Sequence, residues 1–131
     1  MMYNKLVESC FFTPQHVGVL DLSEPLSVCY CSERWGQRGI FDFYLLCNET
    51  GRVKKAYFKA HGSPYLVAAA EWVCQQLEGS LIDEHPQFNY SALMQKLSIP
   101  DTRYSVALQI EDAYRELVTM MQAKLKRGND E

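Results

Sequence analysis

The stretch IFDFYLLCNETGRVKKAYFKA, residues 40–60, decides the fold, because it contains two strand-like runs joined by a turn sequence. Residues 40–47 are apolar and aromatic, which predicts a central strand. The turn is predicted at 48–51, Asn-Glu-Thr-Gly. Residues 52–60 alternate, with Val53, Lys55, Tyr57 and Lys59 on one face and Ala56, Phe58 and Ala60 on the other. This alternation predicts a second strand that pairs with the first as a hairpin.

Working outward, residues 26–31 also alternate and predict a strand before this hairpin. The pattern after the hairpin changes to the helical period. Ser63-Pro64 is a strong helix start, and further helices are predicted over about 89–97 and from about 101–105 onward. A first helix is predicted at the N-terminus, ending at Thr13-Pro14. The order α-β-β-β-α-α-α predicts the α+β class: a three-stranded antiparallel meander with helices on one face.

Length and composition indicate one globular domain over residues 1–131, with a charged tail at 124–131 that we expect to be frayed. Hydrophobic residues make up 47% of the chain and charged residues 22%, which argues against intrinsic disorder. The net charge of -3 argues against a nucleic-acid-binding function. No apolar run is long enough to span a bilayer and no signal-peptide core is visible, so we predict a cytoplasmic protein without membrane insertion. Five cysteines in a reducing compartment are expected to be thiols.

The common catalytic and nucleotide-binding motifs are absent from the sequence, and no nucleophile–base pair can be identified. We therefore predict that the protein is not an enzyme. Cys29 and Cys31 share one face of a predicted strand and could both reach a metal, although small core residues are the commoner interpretation. The segment Asp83-Glu84-His85 reads as a solvated acidic loop, and His61 precedes a predicted helix N-terminus.

Several short stretches, in order, resemble the IscU/NifU N-terminal iron–sulfur cluster scaffold family. Pro14, Val17 and Gly18 match the family's N-P-x-N-V-G, and Phe58, Lys59 and Gly62 match its F-K-x-x-G-C. Residues 77–84 resemble V-x-G-K-S-L-D-E, and residues 111–113 match E-D-A. The resemblance covers residues 3 to about 122 and implies the same α-β-β-β-α-α-α fold.

The resemblance also implies where the family's cluster ligands would lie, and each position holds a different residue here. The first cysteine and its aspartate fall on Gln37 and Gly39, the second cysteine falls on Ser63, and the His-Cys pair falls on Ser105 and Val106. Soft thiolates suit iron–sulfur clusters and zinc, whereas a serine hydroxyl stays protonated. We therefore expect no cofactor, and a cluster or zinc only if the ligands are relocated to Cys29, Cys31 and His61.

Without the family's ligands, the sequence favours a function through protein contacts. Residues 32–39 occupy the loop of the first ligand and contain Arg34, Trp35 and Arg38, residue types that are enriched at binding hot spots. Trp35 folded back on the sheet edge is the alternative. The family's chaperone-recognition segment, L-P-P-V-K, falls on residues 99–103 and leaves Ile99, Pro100 and Arg103 as candidate contacts.

Two functions remain open on these grounds. The first is a diverged scaffold-like protein that serves iron–sulfur cluster assembly without holding a cluster by the family's ligands. The alternative is a non-enzymatic adaptor that uses the same fold outside that process, for example in a secretion or signalling complex.

Overall fold

The computed structural model describes residues 3–31, 41–84 and 88–129, and the elements follow the predicted order. Helix α1 precedes three strands, and three helices follow them, the last preceded by a 3₁₀ turn at Asp101–Arg103. The bounds are α1 Lys5–Phe12, β1 Ser27–Cys31, β2 Phe41–Cys47, β3 Val53–Ala60, α2 Pro64–Leu77, α3 Tyr90–Lys96 and α4 Tyr104–Asn129. The strands form a sheet of order β1-β2-β3 in which both pairs are antiparallel. The predicted α+β meander is therefore confirmed.

The β2–β3 hairpin contains a bulge that simple alternation does not predict. Leu46 pairs with Lys55 and Cys47 pairs with Val53, so Lys54 is an extra residue on β3. The bulge turns Val53, which is 1% exposed, onto the same face as Ala56 and Phe58. The alternation in the sequence had placed Val53 on the same face as Lys55 and Lys59, opposite Ala56 and Phe58. This part of the prediction is wrong.

The main core lies between one face of the sheet and the helices. Phe41, Phe43 and Leu45 of β2 are fully buried there, and Ala68, Ala69 and Ala70 let the α2 backbone approach closely. Helix α2 contacts β3, and α4 contacts β1 and β2. Helices α2 and α3 start at side-chain caps, where Ser63 and Asn89 accept hydrogen bonds from backbone N–H groups. The prediction that helices cover one face is confirmed.

The connection from α1 to β1 covers part of the second sheet face, which the sequence prediction left open. The backbone of His16 and Gly18 pairs with Phe58 on β3, through bonds of 2.9 Å, and Leu22 lies near Cys29 on β1. Leu20 and Tyr44 are both buried outside the main core. The segment therefore runs from the β3 edge to the β1 edge and buries side chains on the way.

The charged end of the chain, for which a frayed tail was predicted at 124–131, lies in α4 as far as Asn129. Lys124 Nζ donates a 2.8 Å hydrogen bond to the Ser27 carbonyl at the start of β1, and Leu125 packs against the core. These contacts hold the helix beyond the point where the sequence shows only charge. Within the described residues, none of the helices has the length and apolar character needed to cross a membrane.

Candidate functional site

Three connections of the chain meet at one end of the sheet. The pairing of Cys31 with Asp42, and of Asp42 with Lys59, places the end of β1, the start of β2 and the end of β3 in one row. Residues 61–63 follow β3 directly and lead into α2. The turn into α2 therefore lies at the same end as the β1–β2 connection.

Helix α4 brings its N-terminus to this end as well. Lys124 lies at the start of β1, where it bonds the Ser27 carbonyl. Burial raises the pKa of the Tyr30 hydroxyl near the end of β1. The nearby charges of Asp112 and Glu116 on α4 add to this increase. Helix α4 therefore runs antiparallel to β1, and its first turn projects toward the row of Cys31, Asp42 and Lys59.

The topology thus gathers Ser63, Ser105 and Val106 at one end of the molecule. Gln37 and Gly39 lie outside the described residues. The five positions were predicted from the resemblance, and the structure places the described three at the end of the sheet where connections converge.

The local role of Ser63 is structural. Its hydroxyl oxygen accepts a 3.3 Å hydrogen bond from the Leu66 N–H, and Pro64 occupies the first helical position. This is a good N-cap, and a hydroxyl in that role is a hard, protonated group unsuited to a soft metal.

The first turn of α4 offers no soft ligand either. Ser105 is exposed, and Val106 is half-buried and packs against the core. An isopropyl group that contacts the core cannot donate electrons to a metal. Of the described positions, Ser63 and Val106 therefore hold groups that stabilise the fold, and Ser105 holds an exposed hydroxyl.

The relocated ligand set, Cys29, Cys31 and His61, does not come together. Cys29 Sγ and Cys31 Sγ are 2.8 Å apart, so these two thiols do form a pair. His61 follows β3, which is separated from β1 by β2, a distance of about 10 Å for two strand spacings. Within residues 3–31, 41–84 and 88–129, no group of three or more His, Cys, Asp or Glu side chains is arranged to hold a metal ion. His85 lies outside these ranges.

The candidate partner-binding residues divide into two sets. Arg34, Trp35 and Arg38 lie outside the described residues. In the second set, Ile99 is 5% exposed and belongs to the core, whereas Pro100 and Arg103 are exposed immediately before α4. Ile99 therefore serves packing, and Pro100 and Arg103 are left as accessible contacts.

Sequence reasoning missed a buried carboxylate, Glu71, in the middle of α2. Glu71 is fully buried, and its Oε1 accepts 2.8 Å hydrogen bonds from the N–H groups of Gln15 and His16. Its Oε2 lies 2.7 Å from His16 Nδ1 and accepts a 2.8 Å hydrogen bond from Gln75. A single charged residue within the otherwise apolar run PYLVAAAEWV was the available signal. Glu71 anchors the segment that crosses the second sheet face.

Sequence reasoning also missed an exposed apolar stripe on the α1–β1 connection and the end of α1. Its members are large hydrophobic side chains that remain at least half exposed: Phe12, Val17, Val19 and Leu22. These residues lie away from the main core, so they stabilise the fold little and are free to contact another protein.

Two comparisons with known proteins bear on this arrangement. The family model described as "NifU-like N terminal domain" matches residues 2–127. A protein named "Iron sulfur cluster assembly protein 1, mitochondrial" from Debaryomyces hansenii is 26% identical over 77 residues, which are 59% of this chain and 43% of that protein. The match therefore spans less than half the length of that relative.

Proposed function

Because the chain belongs to the family of NifU-like N-terminal domains, we propose that it is an iron–sulfur cluster assembly scaffold-like protein that has lost the family's cluster site. In this proposal it acts through contacts with other proteins and carries no catalytic residue. Family membership confirms the resemblance inferred from the sequence. A cytoplasmic location stays a prediction, since the matched relative is named as mitochondrial.

The main support for the proposal is the identity and role of the residues at the family's ligand positions. Ser63 is used as the cap of α2, and Val106 is packed against the core. Restoring the ligands would require a different side chain at each position and would remove the Ser63 cap of α2. The residues at this end of the sheet support the fold, which favours a protein that works without a cluster of its own.

Exposed groups support the interaction part of the proposal. Pro100 and Arg103 are accessible beside the start of α4, and the stripe containing Phe12, Val17, Val19 and Leu22 adds apolar surface. The residues Arg34, Trp35 and Arg38 between β1 and β2 belong to the same proposal on their chemistry, since Trp and Arg dominate binding hot spots.

The proposal predicts that the purified protein stays colourless when it is incubated anaerobically with iron, sulfide and a reductant. The reason is the residues at the five ligand positions, Gln37, Gly39, Ser63, Ser105 and Val106, which supply no thiolate, carboxylate or imidazole. Visible absorption and metal analysis measure the outcome, and no stoichiometric iron or zinc is expected. A cluster-like absorption band that disappears in Cys29→Ala or Cys31→Ala would contradict the proposal and establish a relocated site.

The proposal also predicts that Trp35→Ala weakens capture of the physiological partner. Truncating a hot-spot aromatic costs about 2 kcal/mol or more, which is roughly thirty-fold in affinity. Affinity purification from the native cell, with Trp35→Ala and Arg34→Ala compared with the unchanged protein, measures this loss. The melting temperature is expected to stay nearly constant. A loss of about 3–5 kcal/mol of stability with binding intact would instead make Trp35 a core residue.

A further inference from the structure

The chain contains one closely spaced pair of thiols that the proposed function does not use. All five cysteines lie in the described part of the chain. Cys10, Cys47 and Cys74 are buried, whereas Cys29 and Cys31 on β1 are only partly buried, with their sulfur atoms 2.8 Å apart. From this juxtaposition we propose that Cys29 and Cys31 are a redox-active dithiol that exchanges with small-molecule disulfides and closes reversibly to an intrastrand disulfide.

The geometry of β1 permits this bond. Residues two positions apart on a strand have Cα atoms about 6.6 Å apart and side chains on the same face. This separation is near the upper end of the range of about 4.4–6.8 Å that disulfides span. Among the strands that the structure describes, β1 lies at the edge of the sheet and pairs with β2 alone, so a slight shortening disturbs one ladder. A disulfide formed at the extended limit is readily reduced, and reversible closure is therefore expected.

The surroundings of Cys29 favour its protonated thiol. Burial, the neighbouring Cys31 and the charge of Asp42 together raise the pKa of Cys29 to about 12, against a hydrogen bond from Tyr44 that lowers it. The Cys29 thiolate is therefore scarce at neutral pH. A cavity of about 300 Å³ at the β1 edge is lined by Cys29 together with Leu22 and Met120, so it gives access to the Cys29 side of the pair.

The buried thiols provide the contrast. Burial raises the pKa of Cys10 to about 11, with the charge of Glu71 adding to it, and burial alone raises the pKa of Cys47 to about 11. Cys74 is fully buried, and its pKa is raised well above the ordinary value. Because Cys10, Cys47 and Cys74 are buried, a disulfide in solution does not reach their sulfur atoms, so the exchange is confined to β1.

The exchange proceeds in two steps with glutathione disulfide as the oxidant. One thiol of the pair loses its proton to solvent, and its thiolate attacks one sulfur of glutathione disulfide, forming a mixed disulfide and releasing one glutathione thiolate. The other thiol of the pair then loses its proton and attacks the sulfur of the first cysteine, which expels the second glutathione thiolate. The two cysteines are oxidised to one disulfide, and glutathione disulfide is reduced to two glutathione molecules that take up the two protons.

The test is intact-mass spectrometry of the full chain after equilibration with glutathione redox buffers and acid quenching. The unchanged protein is expected to lose two hydrogen atoms, and reduced glutathione should return them. Cys29→Ser and Cys31→Ser each keep one thiol of the pair, so each is expected to stop at a mixed disulfide with glutathione instead of losing two hydrogen atoms. Cys10→Ser is the matched control and should behave like the unchanged protein. This control also simplifies peptide mapping, because residues 6–34 contain Cys10, Cys29 and Cys31 in one tryptic peptide.

Two results would overturn the proposal. One is a protein that keeps five free thiols in buffers that oxidise a reference dithiol. The other is loss of two hydrogen atoms in the Cys29→Ser protein to the same extent as in the unchanged chain. Circular dichroism of each variant establishes that the thiols were compared in the folded state.

Discussion

Replacing Glu71 with alanine is expected to lower the free energy of unfolding by about 3–5 kcal/mol, because it breaks a buried charged hydrogen-bond network. The substitution leaves the N–H groups of Gln15 and His16, and the amide of Gln75, without their acceptor. A buried N–H donor without an acceptor has lost its hydrogen bonds to water and makes none in the protein, so the full free-energy cost of its desolvation remains. Urea unfolding followed by circular dichroism measures the change.

Two further variants allow a conclusion even if the Glu71→Ala protein does not fold. Glu71→Gln preserves the volume and one acceptor oxygen, so it should cost less than alanine and remain measurable if the alanine protein does not fold. Glu78→Gln is the matched control at the C-terminal cap of the same helix, because the Glu78 side chain is 42% exposed where it faces His16 Nε2 at 3.3 Å. Its expected cost is below about 1 kcal/mol. Equal effects at Glu71 and Glu78 would contradict the anchoring role of Glu71.

Rebuilding the family's ligand set is expected to convert a colourless protein into one that binds a cluster. The five substitutions are Gln37→Cys, Gly39→Asp, Ser63→Cys, Ser105→His and Val106→Cys, the positions that the family resemblance implies. Three thiolates, a carboxylate and an imidazole would then stand where the topology gathers the connections. Loss of the Ser63 cap costs about 1 kcal/mol, which a domain with a stability of about 5–15 kcal/mol tolerates.

The readouts are visible absorption and bound iron and sulfide after anaerobic reconstitution. A matched variant that carries only Gln37→Cys, Gly39→Asp and Ser63→Cys lacks the ligands from α4 and should bind far less. The unchanged chain should remain colourless beside both. A folded variant with all five substitutions but no cluster would show that this end of the sheet no longer holds the ligand positions together. That result would contradict the idea that ligand loss alone separates this chain from a cluster-binding scaffold.

Much of the fold could be predicted from sequence because it depends on neighbours along the chain. The period-2 runs, the 48–51 turn and the Ser63-Pro64 helix start are local patterns, and the structure contains the strands and helices they predict. The placement of Ser63, Ser105 and Val106 at the family's ligand positions also comes from residue identity, through the resemblance, and stays a prediction.

Other features were decided by tertiary structure, because they depend on residues far apart in the chain. The bulge at Lys54 places Val53 in the core. It arises from the pairing of β3 with β2, which the alternation of residue types along β3 does not predict. Whether Cys29, Cys31 and His61 share a site depends on strand order, which inserts β2 between them. Glu71 is an anchor only because the segment with His16 folds back over α2, 55 residues away. Local sequence sets the backbone conformation of each element. Long-range packing decides which side chains come into contact, and the chemistry of the protein depends on those contacts.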